Sequence, residues 1–127
     1  MAKLILNHMD AWGVTLVISA LALVLHRALS WRHALLALAL GVGYWLAFAL
    51  NDYFDADADA RAPRKAWRNY FVQHGHGRFL WPAALVALIP IVVLSSYGQW
   101  GVTAVVVGFF IMWAYSAPPL RLKHRPG

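Results

Sequence analysis

Long apolar runs alternate with short polar connections along this chain. Four of these runs stand out, at residues 11–29, 34–50, 79–97 and 100–117. Each has roughly the 17–25 residues that an α-helix needs to cross the hydrocarbon core of a bilayer. Charged residues gather between the runs, which is typical of a polytopic membrane protein. The pattern therefore predicts an all-α transmembrane helix bundle of about four spans, with residues 1–127 forming a single domain.

Composition supports this interpretation and narrows the classes of partner. The chain has 127 residues, of which 61% are hydrophobic, with seven Trp and no Cys. A soluble domain of this composition would have too little polar surface to cover its outside, so a soluble four-helix bundle is the less favoured alternative. The net charge of +6 does not indicate a nucleic-acid partner, because the basic residues flank the apolar runs instead of forming one stripe. Membrane lipids are the expected surroundings.

Basic residues are divided unequally between the two sides of the predicted membrane. One side carries only Arg27 and Arg32. The other side carries Lys3, Arg61, Arg64, Lys65, Arg68, Arg78, Arg121, Lys123 and Arg125. Because cytoplasmic connections are enriched in Lys and Arg, both termini and the Asp-rich loop at residues 51–78 are predicted to lie in the cytoplasm. We expect a multi-pass protein of the plasma (inner) membrane of a bacterium or archaeon.

Four of the five acidic residues lie close together after the second run. If that span continues as a helix, Asp52, Asp55 and Asp59 fall on one face and Asp57 points away. Three carboxylates on one stripe repel one another unless a cation neutralises them. Mg²⁺ prefers oxygen ligands and leaves positions open for phosphate oxygens, so the spacing predicts a Mg²⁺ site made by these three and Asn51. The alternative interpretation is a solvated helix end at the membrane surface.

Two basic segments accompany the acidic stretch. The first follows it directly, at residues 61–68, and its cations suit the anionic end of a diphosphate. The second follows the fourth run as Tyr-Ser-Ala-Pro-Pro-Leu-Arg-Leu-Lys, residues 115–123, in which two prolines end the helix. On topology alone, Arg121 and Lys123 in this second segment would be positive anchors at the cytoplasmic surface.

Taken together, Asn-Asp-x-x-Asp-x-x-x-Asp after the second run and Tyr-Ser-x-Pro-Pro-x-Arg-x-Lys after the fourth resemble the UbiA family of intramembrane prenyltransferases. The resemblance covers the whole chain. It implies a Mg²⁺-dependent enzyme that transfers a prenyl group from a prenyl diphosphate to a lipophilic acceptor. By this resemblance Asp52, Asp55 and Asp59 are the catalytic residues, and with Asn51 they would hold Mg²⁺ on the diphosphate. The residues that would bind substrate are Arg64, Lys65, Arg68, Tyr115, Arg121 and Lys123.

Members of that family usually have more spans and a second Asp-rich loop, so the chain resembles the N-terminal half of such an enzyme. We therefore expect a second half, or a second copy of the chain, as a partner. The alternative function is a non-catalytic membrane module left from a truncated or split prenyltransferase. The spacing of Pro63, Lys65 and Arg68 resembles the branches that act on carotenoids, or on polyprenyl phosphates with phosphoribosyl diphosphate.

Overall fold

The computed structural model describes residues 2–77 and 79–124, and these form helices joined by short connections, with no strand in either range. The all-α prediction is confirmed. In chain order the helices are α1 (Ala2–Leu6), α2 (Met9–Leu25), α3 (Trp31–Asp59), α4 (Pro63–Ala66), α5 (Tyr70–His74), α6 (Leu80–Ser95) and α7 (Gln99–Ser116), followed by a 3-10 turn at Leu122–His124. Arg78 and Arg125, two of the basic residues counted for the topology, lie outside the described residues.

The four long helices α2, α3, α6 and α7 correspond to the four apolar runs, with shifted ends. The largest difference is in α3, which begins at Trp31 and continues through the acidic stretch to Asp59. Residues 51–59, predicted to belong to the loop at 51–78, are therefore helical. The short helices α4 and α5 occupy much of the remaining loop.

Local sequence accounts for the length of α3. The Oγ of Ser30 accepts a hydrogen bond from the His33 N–H and caps the first turn. No Gly or Pro interrupts the segment from Tyr44 to Asp59, so the backbone does not stop where the apolar run ends. Pro63 then begins α4, because proline suits the first turn of a helix and the residue before it avoids the helical conformation.

Apolar side chains cover the outside of the long helices. In the described ranges, α3 and α7 are long and apolar enough to cross a bilayer, whereas α2 and α6 are apolar but have only 17 and 16 residues. None of the residues of α2 is buried, and side chains such as Val17 and Leu25 are largely exposed. Helices that are apolar all round need an apolar surrounding, which a membrane supplies.

Helix α3 is the element against which the others pack. It contacts α2 on one side and α6 on another, and it also contacts α4, α5 and α7. The buried core lies along its second half, where Leu46, Ala49 and Ala56 meet Phe71 of α5 and Ala83 of α6. The core therefore lies next to the acidic turns of α3 and holds them in place.

The opposite end of α3 is tied to the connection between α6 and α7. Arg32 Nη2 donates to the carbonyl oxygen of Ser96 at 2.9 Å, and Tyr97 Oη donates to the carbonyl oxygen of Arg32 at 3.1 Å. The guanidinium of Arg32 also lies 4.6 Å from the centre of the Tyr97 ring, a cation–π geometry. These contacts fix the position of α3 relative to α6 and α7 at the end remote from the acidic residues.

We predict that Gly101→Ala destabilises the fold. A Cβ atom at Gly101 would lie 1.8 Å from the carbonyl oxygen of Leu94, so the backbones of α6 and α7 would have to separate. The expected loss in the free energy of unfolding is about 2 kcal/mol or more, measured by thermal unfolding in detergent.

Gly108→Ala on the same helix is the matched control. A Cβ atom there would meet nothing within 4 Å, so Ala should be neutral or stabilising by up to about 1 kcal/mol. Equal melting temperatures for the two variants would contradict the close approach of α7 to Leu94.

Candidate functional site

The last turns of α3 present three carboxylates on one face. Asp52, Asp55 and Asp59 are partly buried, whereas Asp57 is exposed on the other side of the helix, so the predicted arrangement is confirmed. At a rise of about 1.5 Å per residue, Asp52 and Asp59 are roughly 10 Å apart along the axis. One ion cannot contact both of them, and Asp55 lies between.

A cleft of about 320 Å³ opens beside these carboxylates. It is bounded by the acidic face of α3, the α1–α2 junction and the segment that follows α3. Six residues predicted from the sequence line it, namely Asn51, Asp52, Asp55, Asp59, Lys65 and Arg68. The structure therefore brings the acidic face and part of the first basic segment together around one space.

Asp52 is paired with a histidine that the sequence analysis missed. His8, between α1 and α2, places Nε2 2.9 Å from Asp52 Oδ2, and its ring packs against Phe48 at 5.3 Å between centroids. Both side chains are mostly buried. The signal in the sequence was the polar group Asn7, His8 and Asp10 just before the first span, on the same predicted side of the membrane as the acidic stretch.

Asp59 is held by a second residue that the sequence analysis missed. Asn69 is only 3% exposed, and its Nδ2 donates to Asp59 Oδ2 at 3.0 Å and to the carbonyl oxygen of Asp52 at 2.9 Å. Its Oδ1 accepts from the Phe71 N–H and caps α5. Lys65 lies 3.7 Å from Asp59 but is 70% exposed, so that ion pair contributes little to stability.

Asp55 is the point at which the two sequence motifs meet. Lys123 Nζ lies 2.7 Å from Asp55 Oδ2, and Arg121 Nη2 lies 3.5 Å from Asp55 Oδ1. Asn51 Nδ2 donates to Asp55 Oδ2 at 3.4 Å. The side-chain amide oxygen of Asn51, Oδ1, accepts hydrogen bonds from Lys123 Nζ and from the buried Ser116 Oγ. The segment after α7 therefore folds back onto α3.

Four of the six predicted substrate-binding residues do not line the cleft. Arg121 and Lys123 adjoin it through their contacts with Asp55, and the other two lie apart from it. Arg64 is exposed on α4, and Tyr115 is 53% exposed. Neither lines the cleft. The Tyr115 ring does lie 5.8 Å from Lys123 Nζ, so it borders the residue that reaches Asp55.

The donor set suits a hard cation that is shared with a ligand. Among residues 2–77 and 79–124, no three acidic or histidine side chains converge closely enough to hold a metal ion by themselves. Mg²⁺, however, is usually bound by one or two carboxylates together with phosphate oxygens and water. Asn51 and Asp55, one helical turn apart, offer oxygens of this kind, and the neighbouring cations suit a diphosphate. The residues present therefore fit a Mg²⁺–diphosphate pair.

Comparison with known proteins assigns the family. The model of the UbiA prenyltransferase family matches residues 11–127. The chain belongs to the UbiA prenyltransferase family. Its members are integral membrane proteins, which agrees with the exposed apolar surfaces of this UbiA-family chain, and membership supports a prenyltransferase type of function.

The chain is also similar to lycopene elongase/hydratase of Corynebacterium glutamicum. The two are 34% identical over 82 residues, which is 62% of this chain and 29% of the relative. The protein of the same name from a named strain of that species gives the same identity and coverage. The matched region thus spans less than a third of the relative's length. No solved structure matches the UbiA-family chain significantly.

We predict that Asn69→Ala lowers the free energy of unfolding by about 1–2 kcal/mol, because it removes a helix cap and leaves the Asp59 carboxylate without a buried donor. Arg64→Ala, on the exposed surface of α4, is the control and should change stability by no more than about 0.5 kcal/mol. Thermal unfolding of both variants in the same detergent measures the difference. An unchanged melting temperature for Asn69→Ala would refute the structural role of this side chain.

Proposed function

We propose that this protein binds a prenyl diphosphate with Mg²⁺ at the acidic end of α3, for transfer of the prenyl group to a lipophilic acceptor. The observation that carries the proposal is the convergence on Asp55 of an amide donor and two cationic groups from two distant motifs: Asn51 on α3, and Arg121 and Lys123 after α7. Membership of the UbiA family supports the reaction class.

In this proposal the acidic face provides two adjacent metal positions. Asp52 with Asp55, and Asp55 with Asp59, form pairs at helical spacings of three and four residues. Asn51 adds an amide oxygen. These residues would hold Mg²⁺, whose charge would offset the negative charge that develops on the departing diphosphate. Lys65 and Arg68, which line the cleft, are placed to bind the outer diphosphate oxygens.

Arg121 is also suited to bind the diphosphate. Its backbone has a φ of 41°, which is unfavourable for a residue with a side chain, and its Nη2 donates to the carbonyl oxygen of Phe54 at 2.5 Å. Its Nε is buried and has no hydrogen-bond partner within the described part of the chain. Strained backbone and an unused donor beside a carboxylate cluster are features of sites that bind a ligand.

The reacting carbons lie on the apolar side of the proposed site. The bond between the allylic carbon and the diphosphate oxygen breaks, and the diphosphate leaves with the electron pair. A double bond of the acceptor supplies the electrons for the new carbon–carbon bond, and the cation that this leaves on the acceptor loses a proton to the diphosphate. A groove of about 510 Å³ between α2 and α3 continues from the cleft, with Phe48 and Ala11 lining both. Its walls are mostly apolar and suit a prenyl chain. They are formed by Val14, Ile18 and Tyr44 together with the polar residues Asp10, Thr15 and Ser19.

We propose a linear carotenoid as the acceptor. The support is the similarity to lycopene elongase/hydratase and the resemblance of the segment at residues 63–68 to the carotenoid branch. The second candidate, on the resemblance of the same segment, is a related transfer in which a polyprenyl phosphate accepts the phosphoribosyl group of phosphoribosyl diphosphate. Both acceptors are long and apolar, and both would reach the site from within the bilayer.

The proposed location is the plasma (inner) membrane of a bacterium or archaeon, with the termini and the acidic end of α3 in the cytoplasm. The excess of Lys and Arg on that side supports this orientation. For the transfer step we propose a second half or a second copy of the chain as partner. Outside the acidic end of α3 the sequence contains only one further acid, Asp10, so a second acidic cluster would come from another chain or segment.

We predict that Asp55→Asn weakens Mg²⁺-dependent binding of a prenyl diphosphate at least about 100-fold, because it removes a metal ligand and the counter-charge of two cations. Asp57→Asn is the matched control: it makes the same chemical change on the exposed face of α3 and should leave affinity within about twofold. Binding of radiolabelled farnesyl diphosphate to the full chain in detergent, with Mg²⁺ and with chelator, measures both.

Equal affinities in Mg²⁺ and in chelator, with no effect of Asp55→Asn, would favour the non-catalytic membrane module. For the acceptor, we expect membranes containing this chain and its partner to transfer label from prenyl diphosphate to lycopene rather than to an aromatic acid. Labelling of a polyprenyl phosphate from radiolabelled phosphoribosyl diphosphate, with no label passing from prenyl diphosphate to lycopene, would instead support the second candidate.

A further inference from the structure

The ammonium group of Lys123 lies at the centre of the acidic face, where the proposed function places a metal ion. Lys123 Nζ lies 2.7 Å from Asp55 Oδ2 and donates a hydrogen bond to Asn51 Oδ1. Its side chain is only 10% exposed, unlike that of Lys65, which is 70% exposed beside Asp59. The two oxygens that Lys123 contacts are among those that the proposed function assigns to Mg²⁺.

We infer that Lys123 is a built-in substitute for the metal: it neutralises Asp55 in the ligand-free protein and must be displaced before a divalent cation binds Asn51 and Asp55. This inference rests on the proposed function, because it concerns the same site. It assigns to Lys123 a role of gating metal entry in addition to any contact with diphosphate.

The lone pairs of the Asn51 side-chain oxygen require the displacement. Asn51 Oδ1 has two lone pairs, and it already accepts hydrogen bonds from Lys123 and from Ser116. A metal ion can bind this oxygen only when one of those donors leaves. The Ser116 hydroxyl is buried at the end of α7, whereas the Lys123 ammonium is at the end of a long side chain. Lys123 is therefore the donor that moves.

Repulsion between the metal ion and the Lys123 ammonium also favours displacement of Lys123. Mg²⁺ binds carboxylate oxygens at about 2.0–2.1 Å. With Lys123 Nζ at 2.7 Å from the same oxygen, the two cations would be within about 5 Å of each other. That repulsion acts in a mostly buried site, where solvent screens it poorly. The two cations therefore compete for this oxygen.

The displaced ammonium has a new partner when diphosphate is present. The centre of the Tyr115 ring lies 5.8 Å from Lys123 Nζ. A diphosphate bound beside the acidic face would offer oxygens to the displaced ammonium. Metal alone must then compete with Lys123, whereas metal with diphosphate gives Lys123 another acceptor. The consequence is positive coupling: each of the two ligands tightens binding of the other.

The first test measures Mn²⁺ binding to the full chain in detergent without diphosphate, from the loss of the aqueous Mn²⁺ signal in electron paramagnetic resonance. Lys123→Met should bind Mn²⁺ about tenfold tighter than the unmodified chain, as expected if Lys123 fills the site about nine-tenths of the time. Lys3→Met removes the same charge from a residue that contacts Gln73 outside the cleft, and should leave the affinity within about twofold.

The second test needs no variant. An amine-reactive reagent should label Lys123 slowly without metal and several-fold faster with Mn²⁺, as read from peptide mass spectrometry. The exposed Lys65 serves as the internal reference in the same sample.

The outcomes separate the two proposals. Tighter Mn²⁺ binding by Lys123→Met, or faster labelling of Lys123 with Mn²⁺, supports displacement. Mn²⁺ binding that is lost in Asp55→Asn but unchanged or weaker in Lys123→Met, with Lys123 still protected, overturns the displacement and leaves the proposed function standing. Absence of Mn²⁺ binding in every variant, with and without diphosphate, overturns both.

Discussion

Carboxylates that are partly buried at the end of an apolar helix must each find a partner, and this requirement organises the structure around α3. Asp52 is paired with His8 from the α1–α2 junction, Asp55 with Lys123 from beyond α7, and Asp59 with Asn69 at the start of α5. Leaving such a charge without a partner would cost several kcal/mol. The pairing therefore fixes where three separate segments lie relative to one helix.

The apolar core stabilises the same acidic end of α3. The core residues Leu46, Ala49 and Ala56 pack on α5 and α6 immediately beside the acidic turns, so these turns have a defined position instead of fraying. At the far end, Arg32 and Tyr97 hold α3 against the α6–α7 connection. A helix held at both ends can present a charged face on one side and an apolar groove on another, as a reaction between a diphosphate and a hydrocarbon requires.

Local charge balance distinguishes the middle of the acidic face from its ends. Asp55 faces two cations, Lys123 and Arg121, so its negative charge is already balanced before any ligand binds. Asp59 is paired with a neutral amide and an exposed lysine. The middle of the face therefore holds cations that can bind an anion, and a divalent cation competes there with a resident ammonium. This balance is a property of the assembled site, because Lys123 and Asp55 are 68 residues apart in the chain.

The sequence alone determined those features that depend on residues close together in the chain. Hydropathy located α2, α3, α6 and α7, and a helical period placed Asp52, Asp55 and Asp59 on one face, because both properties repeat over a few residues. The two motifs were enough to suggest the family. Tertiary structure alone decided the partners: a polar group before the first span did not single out His8, Asn69 had no distinctive pattern, and Arg64, although close to the acidic stretch, does not line the cleft. Those contacts depend on how α1, α5 and the turn after α7 pack on α3, and no local period encodes the distance between residues that are far apart in the chain.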